Sequence, residues 1–357
     1  MKLDFLSSNR RVSTRFLARP NIFLSVLLQS VTKRELLKFA DFAIKFSETA
    51  AKKMQKTVRK PIDISGQGLH TGAPVSMRIL PASAEFGIWF KRIDITDRDN
   101  LIEARFDRVS DARLCTKLSN EAGASVSTVE HLMAALAGTG VHNAIVEVNG
   151  PELPIMDGSS TAFVKAILNA GRIEQEASIR AIRVLKPVEV NVDGAIARLE
   201  PSEDFEIAFD IDFSAPAIGR QSQEFNMANG TFIKELSDCR TFCNQSDVEG
   251  MQAQGLALGG SLENAIVVNH EAVLNPEGFR RENECVRHKM LDALGDLYLA
   301  GAPILARYTG ERAGHFVTNQ LLRALFADPE AWDMVICDKE EQIYALPGSD
   351  LSGELVV

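Results

Sequence analysis

From Val58 onward the chain is cut into short segments of β-type pattern, and helical periodicity appears only in separate stretches between them. That interleaving points to an α+β fold, in which sheets are layered with a few helices. Residues 62–65 and 75–80 read as a hairpin, joined by the glycine-rich Gly66-Gln67-Gly68-Leu69-His70-Thr71-Gly72. Helices are expected over 127–137 and around 160–170, with an apolar strand at 144–148 between them. The short polar stretch 174–178 then marks a domain boundary. Beyond it, strands are expected near 188–192, 197–200, 205–213 and 304–308, a long helix over 283–300 stopped by Gly301 and Pro303, and a last helix near 319–327. The parse is an extension over 1–56, a first α+β domain over 57–177 and a second over 178–357.

Charge divides the chain in a similar way. Residues 1–56 hold 12 Lys and Arg against 4 Asp and Glu, and the remainder holds 27 against 44, so a head of +8 precedes a body of −17. The acidic body argues against a nucleic-acid partner. The chain is 45% hydrophobic, enough for two cores, and is neither disordered nor fibrous in composition. Within the head, Arg10, Arg11, Arg15 and Arg19 with several serines have the balance of an organelle transit peptide. A second reading is a basic amphipathic stretch on an anionic membrane surface, with Phe23, Leu24, Leu27 and Leu28 as its apolar face. The preferred reading is a poorly ordered extension, and Met54 stands where an alternative start would fall. The apolar run 22–28, broken by Ser25, is far short of the ~20 residues of a membrane helix, so no transmembrane segment is expected. Five scattered cysteines without a C-x-x-C pair suit a reducing compartment, the cytoplasm, and exclude a cysteine zinc site.

Several chemistries are excluded by missing motifs. There is no G-x-x-x-x-G-K-[ST], no H-E-x-x-H and no G-x-S-x-G, and Gly66, Gly68 and Gly72 do not have dinucleotide-binding spacing. The few histidines remain. His288, Asp292 and Asp296 fall at i, i+4 and i+8, so they share one helix face, while Val286, Met290, Leu294 and Leu297 form the other. A histidine and a carboxylate one turn apart can ligate one metal, but the same face taken alone also reads as a solvated charged stripe. Glu130 and His131 open an apolar, alanine-rich helix. They read either as a base beside a ligand or as a capping box, with Glu130 reaching back to Ser127. His315, in Gly314-His315-Phe316, is a structural histidine or a general acid that a carboxylate such as Asp296 keeps protonated.

Taken together, Thr128-Val129-Glu130-His131-Leu132, Pro154-Ile155-Met156-Asp157-Gly158-Ser159, Arg287-His288-Lys289-Met290-Leu291-Asp292 with Gly295-Asp296, and Gly314-His315 resemble the UDP-3-O-acyl-N-acetylglucosamine deacetylases of lipid A synthesis. Gly68-Leu69-His70-Thr71-Gly72 and Gly259-Gly260-Ser261 with Ala265-Ile266-Val267-Val268 agree, and the resemblance runs over about residues 57–350. It implies two similar α+β domains, each a sheet layered with helices, with the active site between them. It also implies that His131, His288 and Asp292 bind one Zn²⁺, and the same ligand set suits Fe²⁺. By the same resemblance Glu130 is the base that activates water and His315 the acid that protonates the leaving amine. Asp296 orients His315, Thr241 steadies the oxyanion, and Lys289 faces the diphosphate or the developing charge.

For substrate binding the resemblance points to Asp212 and Phe213 at the uracil, Arg312 near the nucleotide, and Phe242, with residues 256–258 and 265–268, along an acyl-chain passage. His70 joins this group, and Cys115 lies close to the site. The implied reaction hydrolyses the N-acetyl amide of an acylated UDP-sugar in a monomeric enzyme, and the basic head brings it at most transiently near a membrane surface. Two alternatives stay open: a related metal amidase with another N-acyl substrate, and a binding protein that has kept the fold without catalysis.

Overall fold

The alternation read in residues 62–80 becomes two antiparallel strands, Ile62–Gln67 and Pro74–Pro81. Ile62 and Ile64 face inward with Val75, Met77 and Ile79, while the residues between them face solvent. These strands edge a five-stranded sheet whose order continues through Ala144–Val148, Ile88–Arg92 and Leu101–Glu103. The computed structural model describes residues 54–228, 230–337, 345–349 and 351. The basic head, with its transit-peptide and membrane-surface readings, lies outside the described residues apart from its last three positions. Those three open a strand, Met54–Val58, that pairs antiparallel with Arg172–Ser178. The polar stretch 174–178 is therefore a paired strand, because its backbone finds a ladder partner whatever its side chains prefer.

A seven-stranded sheet starts just beyond it, at Arg180–Val184. Its longest shared strand, Ile304–Glu311, pairs with Ala195–Glu200 on one side and with Phe205–Asp212 on the other. Phe205, Ile207, Phe209 and Ile211 all face the core, as a period of two requires. Five α-helices occur among the described residues: α1 (Glu130–Gly138), α2 (Thr161–Ala170), α3 (Gln245–Ala253), α4 (Glu284–Tyr298) and α5 (His315–Ala327). Each of the two main sheets is accompanied by helices, and one continuous hydrophobic core runs through both.

Helices α1 and α4 lie within this core. Every residue of α1 is buried, and so is every residue of α4 except Arg287 and Lys289. A helix covered on all sides belongs to the centre of a fold. Gly295 permits the contact between the two: a Cβ there would lie 2.1 Å from the carbonyl oxygen of Glu130. That missing side chain sets the backbone separation of the two helices, and with it the distance between the residues they carry.

Several boundaries differ from the periodicity, among them the starts of two helices. Helix α4 starts at Glu284 because Asn283 is left-handed, with φ of 56°. Helix α5 starts four residues earlier than its apolar pattern, at His315, directly after the strand Ile304–Glu311.

Candidate active site

Helix α1 begins at Glu130 and has no side-chain cap. Thr128 is left-handed, with φ of 57°, and Ser127 donates its hydroxyl to the Pro151 carbonyl at 3.1 Å. The capping box is therefore not formed, and the Glu130 carboxylate is free for another task. Its Oε2 accepts the Thr116 N–H at 3.0 Å, while its Oε1 stands 3.9 Å from His315 Nε2. Burial pushes the Glu130 carboxyl upward, against the pull of His315 and His131. A carboxylate held at that point is a stronger base than an exposed one.

Where α1 crosses α4, His131 meets His288 and Asp292. The two rings are 5.0 Å apart and nearly perpendicular. Asp292 Oδ1 is 3.5 Å from His131 Nε2 and 3.3 Å from His288 Nε2. One ligand atom from each of the three residues lies within 4.8 Å of the others. The solvated-stripe reading fails here, since His288 is 2% exposed and Asp292 4%.

The donor set fits a divalent metal. Asp292 Oδ1, the atom both imidazole Nε2 atoms face, is buried with no hydrogen-bond partner, a costly state for a polar atom unless something else satisfies it. His288 Nδ1 bonds the Cys239 carbonyl at 3.0 Å. A carbonyl only accepts, so Nδ1 carries the hydrogen and the Nε2 lone pair points toward Asp292. Burial also pushes the His288 ring down to about 3, so it is neutral at pH 7, as a ligand must be. Burial opposes the Asp292 charge, yet that carboxyl is held well below its usual range. With His288 neutral, the lasting causes include the Lys289 ammonium, 2.7 Å from Asp292 Oδ2, and the charge of His315.

His315, first residue of α5, closes the other side. Its Nδ1 donates to Asp296 Oδ2 at 2.7 Å, and Asp296 Oδ1 accepts the Thr116 hydroxyl at 2.5 Å. Burial pulls the imidazole down, but the Asp296 carboxylate more than offsets it, and the ring is pushed up to about 9. His315 is thus an imidazolium at neutral pH, with Nε2 facing the carboxylates of Glu130 and Asp292.

Part of this cluster opens on a cavity of about 920 Å³, whose wall includes neither Glu130 nor His131. Thr241, Phe242, Phe213, His70, Lys289 and Arg312 line it beside His288, Asp292 and His315. Phe242 stacks edge-on to both Phe213 and His288, which makes the wall next to the metal cluster apolar. Leu262, Ala265, Val267 and Leu274 continue that lining, as does Ala257. Arg312 is left-handed and donates to the Gly194 carbonyl at 2.8 Å. Asp212 is exposed at the end of its strand and is not among the lining residues. Cys115 lies behind Glu130, and burial, with that carboxylate, pushes its thiol up to about 12.

Two contributors, and the packing role of Gly295, were not legible in the sequence. Thr116 bridges Glu130 and Asp296. Buried Glu152 accepts the N–H groups of His70 and Thr71, at 2.8 and 2.9 Å, and so shapes the glycine-rich loop at the cavity. Gly295 admits α1 to α4. None has a spacing signal, because each acts on a residue far away in the chain. Gly295→Ala is expected to cost about 1–3 kcal/mol of stability by forcing the two helices apart. It should also weaken metal binding; wild-type melting and affinity together would disprove this account of the contact.

The model of the family described as UDP-3-O-acyl N-acetylglycosamine deacetylase (LpxC) matches residues 55–327. A UDP-3-O-acyl-N-acetylglucosamine deacetylase of Phenylobacterium zucineum is 50% identical over 278 residues, covering 78% of this chain and 95% of that protein. The protein of the same name from Shewanella frigidimarina is 44% identical over 300 residues, covering 83% of this chain and 98% of its own length. The chain spanning Glu130, His131, His288, Asp292 and His315 therefore belongs to the UDP-3-O-acyl-N-acetylglucosamine deacetylase family, hydrolases that act on an amide bond.

Proposed function

We propose that the protein is a zinc-dependent enzyme of lipid A synthesis. It would hydrolyse the N-acetyl amide of UDP-3-O-[(3R)-3-hydroxyacyl]-N-acetylglucosamine to release acetate, the committed step. The observation that carries this reading is the convergence of three buried metal donors with a carboxylate on one side and an imidazolium on the other, where His288, Asp292 and His315 line one cavity. His131, His288 and Asp292 would hold the ion. When bound, such an ion brings the pKa of a water toward ~7 and polarises an acyl oxygen.

The remaining work falls to the chain's own groups. Glu130 takes the proton of the attacking water, with its second oxygen anchored by the Thr116 N–H. His315 delivers a proton from Nε2 to the departing nitrogen, because an amide anion is a very poor leaving group. Asp296 keeps that imidazole charged and turned toward the cavity through its bond to Nδ1. Thr241 stands on the cavity wall to steady the developing oxyanion. Lys289 spends part of its charge on Asp292 and faces the same space. The apolar lining residues Phe242, Leu262, Ala265, Val267 and Leu274 suit an acyl chain, and Arg312, Phe213 and Asp212 are assigned to the nucleotide end. The parts before and after residue 178 are read as two domains sharing this site, in a cytoplasmic monomer.

The direct test is acetate release from the acylated UDP-sugar, with and without a chelator. Turnover abolished by the chelator and restored by zinc is the expected result. Equal turnover on unacylated UDP-N-acetylglucosamine would favour the broader metal-amidase reading, and no turnover on either, by metal-loaded protein, would sink both. The pH profile tests His315 separately. Its acid form exists below its raised pKa and is lost as pH rises, so kcat/KM should fall on a basic limb at or below about 9. The limb reaches below that value where a nearby dication opposes the imidazolium charge. Asp296→Asn removes the supporting carboxylate and should move the limb to lower pH; an unmoved limb would remove Asp296 from this role.

A further inference from the structure

The run Cys239-Arg240-Thr241 reaches the site at both ends, while its middle side chain is buried away from the cavity. Cys239 offers the carbonyl that His288 Nδ1 bonds, and Thr241 lines the cavity wall. Arg240 is 1% exposed, and its grip is unusually complete. Its backbone N–H and its Nε each reach Glu284 Oε1 at 3.0 Å, and Nη2 reaches Glu284 Oε2 at 3.2 Å. Nη2 also donates to the Gly278 carbonyl at 2.7 Å, and Nη1 donates to Glu277.

Glu284 is the first residue of α4, and His288 follows one turn later. Its carboxylate therefore takes hold of Arg240 by side chain and main chain together, at the base of the helix that carries the ligand. A second backbone N–H, that of Arg280, comes to Glu284 Oε2 at 2.6 Å. A planar guanidinium meeting a carboxylate in two places fixes direction as well as distance. As a device for stability alone such a pair is a poor choice, because a buried ion pair is often no better than apolar residues of the same volume. What the pair does supply is a fixed offset between the Cys239 carbonyl and the start of α4.

We infer that Arg240 and Glu284 are a positioning pair for the metal ligand His288: they hold the Cys239 carbonyl on His288 Nδ1 and thereby fix the tautomer and direction of that imidazole. The inference rests on the reading of His288 as a metal ligand. Loss of such an outer hydrogen bond lowers metal affinity by about 10–100-fold. Neither residue touches the cavity, so the effect passes through the carbonyl and not through substrate.

The experiment uses the full chain, stripped of metal and titrated with Zn²⁺ against a competing chromophoric chelator. Two variants are compared well below their melting temperatures, with folding verified by circular dichroism. Arg240→Lys keeps the charge but loses the fork, and Arg240→Met with Glu284→Met refills the space without leaving a buried ion unpaired. Both are expected to bind zinc about 10–100-fold more weakly. In ¹⁵N-histidine spectra of the metal-free protein, His288 should change from a single Nδ1–H tautomer to a mixture. Folded variants with affinity within twofold of wild type and an unchanged His288 signal would overturn the positioning role and leave the metal centre intact. Wild-type protein that takes up no zinc, or His131→Ala that takes up a full complement, would instead overturn the metal-centre reading and the inference with it.

Discussion

His131→Ala is expected to fold and yet to leave dialysis nearly free of metal, where the wild type keeps about one ion per chain. The reason is the donor count. His131 comes from α1, whereas His288 and Asp292 come from α4, so its loss leaves one histidine and one carboxylate from a single helix. Asp292 would still hold Lys289 at 2.7 Å, and that ammonium competes with any cation for the same carboxylate. Activity should fall to that of chelator-treated wild type. Full stoichiometric zinc in folded His131→Ala would sink the ligand assignment.

Glu130→Gln is expected to show the opposite split, with metal retained and turnover reduced by about 10²–10⁴-fold. Glutamine has nearly the same shape, and its carbonyl oxygen can still accept the Thr116 N–H, so the first turn of α1 has no reason to move. What disappears is the proton acceptor facing the cluster. The pH profile should change with it. Burial raises the Glu130 carboxyl above the ordinary glutamate range, so the base form is lost as pH falls through that raised value. Wild-type kcat/KM should therefore have an acid limb, and the residual activity of Glu130→Gln should lack it. A Glu130→Gln enzyme within tenfold of wild type, or one that has lost its metal, would remove the general-base assignment.

Part of the candidate site was legible because helical spacing is local. His288, Asp292 and Asp296 share a face of α4 by arithmetic alone, and the strands at 144–148 and 188–192 follow from alternation. Glu130 was ambiguous at that level, since Ser127 and Glu130 also have capping-box spacing. The left-handed turn at Thr128 decides the matter, and that turn is itself held by the bond from the Thr128 hydroxyl to Glu152. His315 was equally undecided, because its charge depends on Asp296 in another helix. The polar stretch 174–178 carries no strand signal for a related reason: a strand paired at an edge needs only a ladder partner, which here is Met54–Val58.

The sequence by itself determined the main strands, four of the five described α-helices and which side chains share a helix face, because these depend on dihedral preference and period within a few residues. It also carried, through its motifs, the family. Only the tertiary structure decided that the charged face of α4 is buried, that Gly295 lets Glu130 and His131 reach it, and that His315 arrives opposite at the start of α5. Those outcomes depend on what packs against what across more than a hundred residues of chain, and no local pattern encodes that distance. The electrostatic character of the site is a product of this packing: burial raises Glu130, silences the charge of His288, and leaves Asp296 to keep His315 protonated.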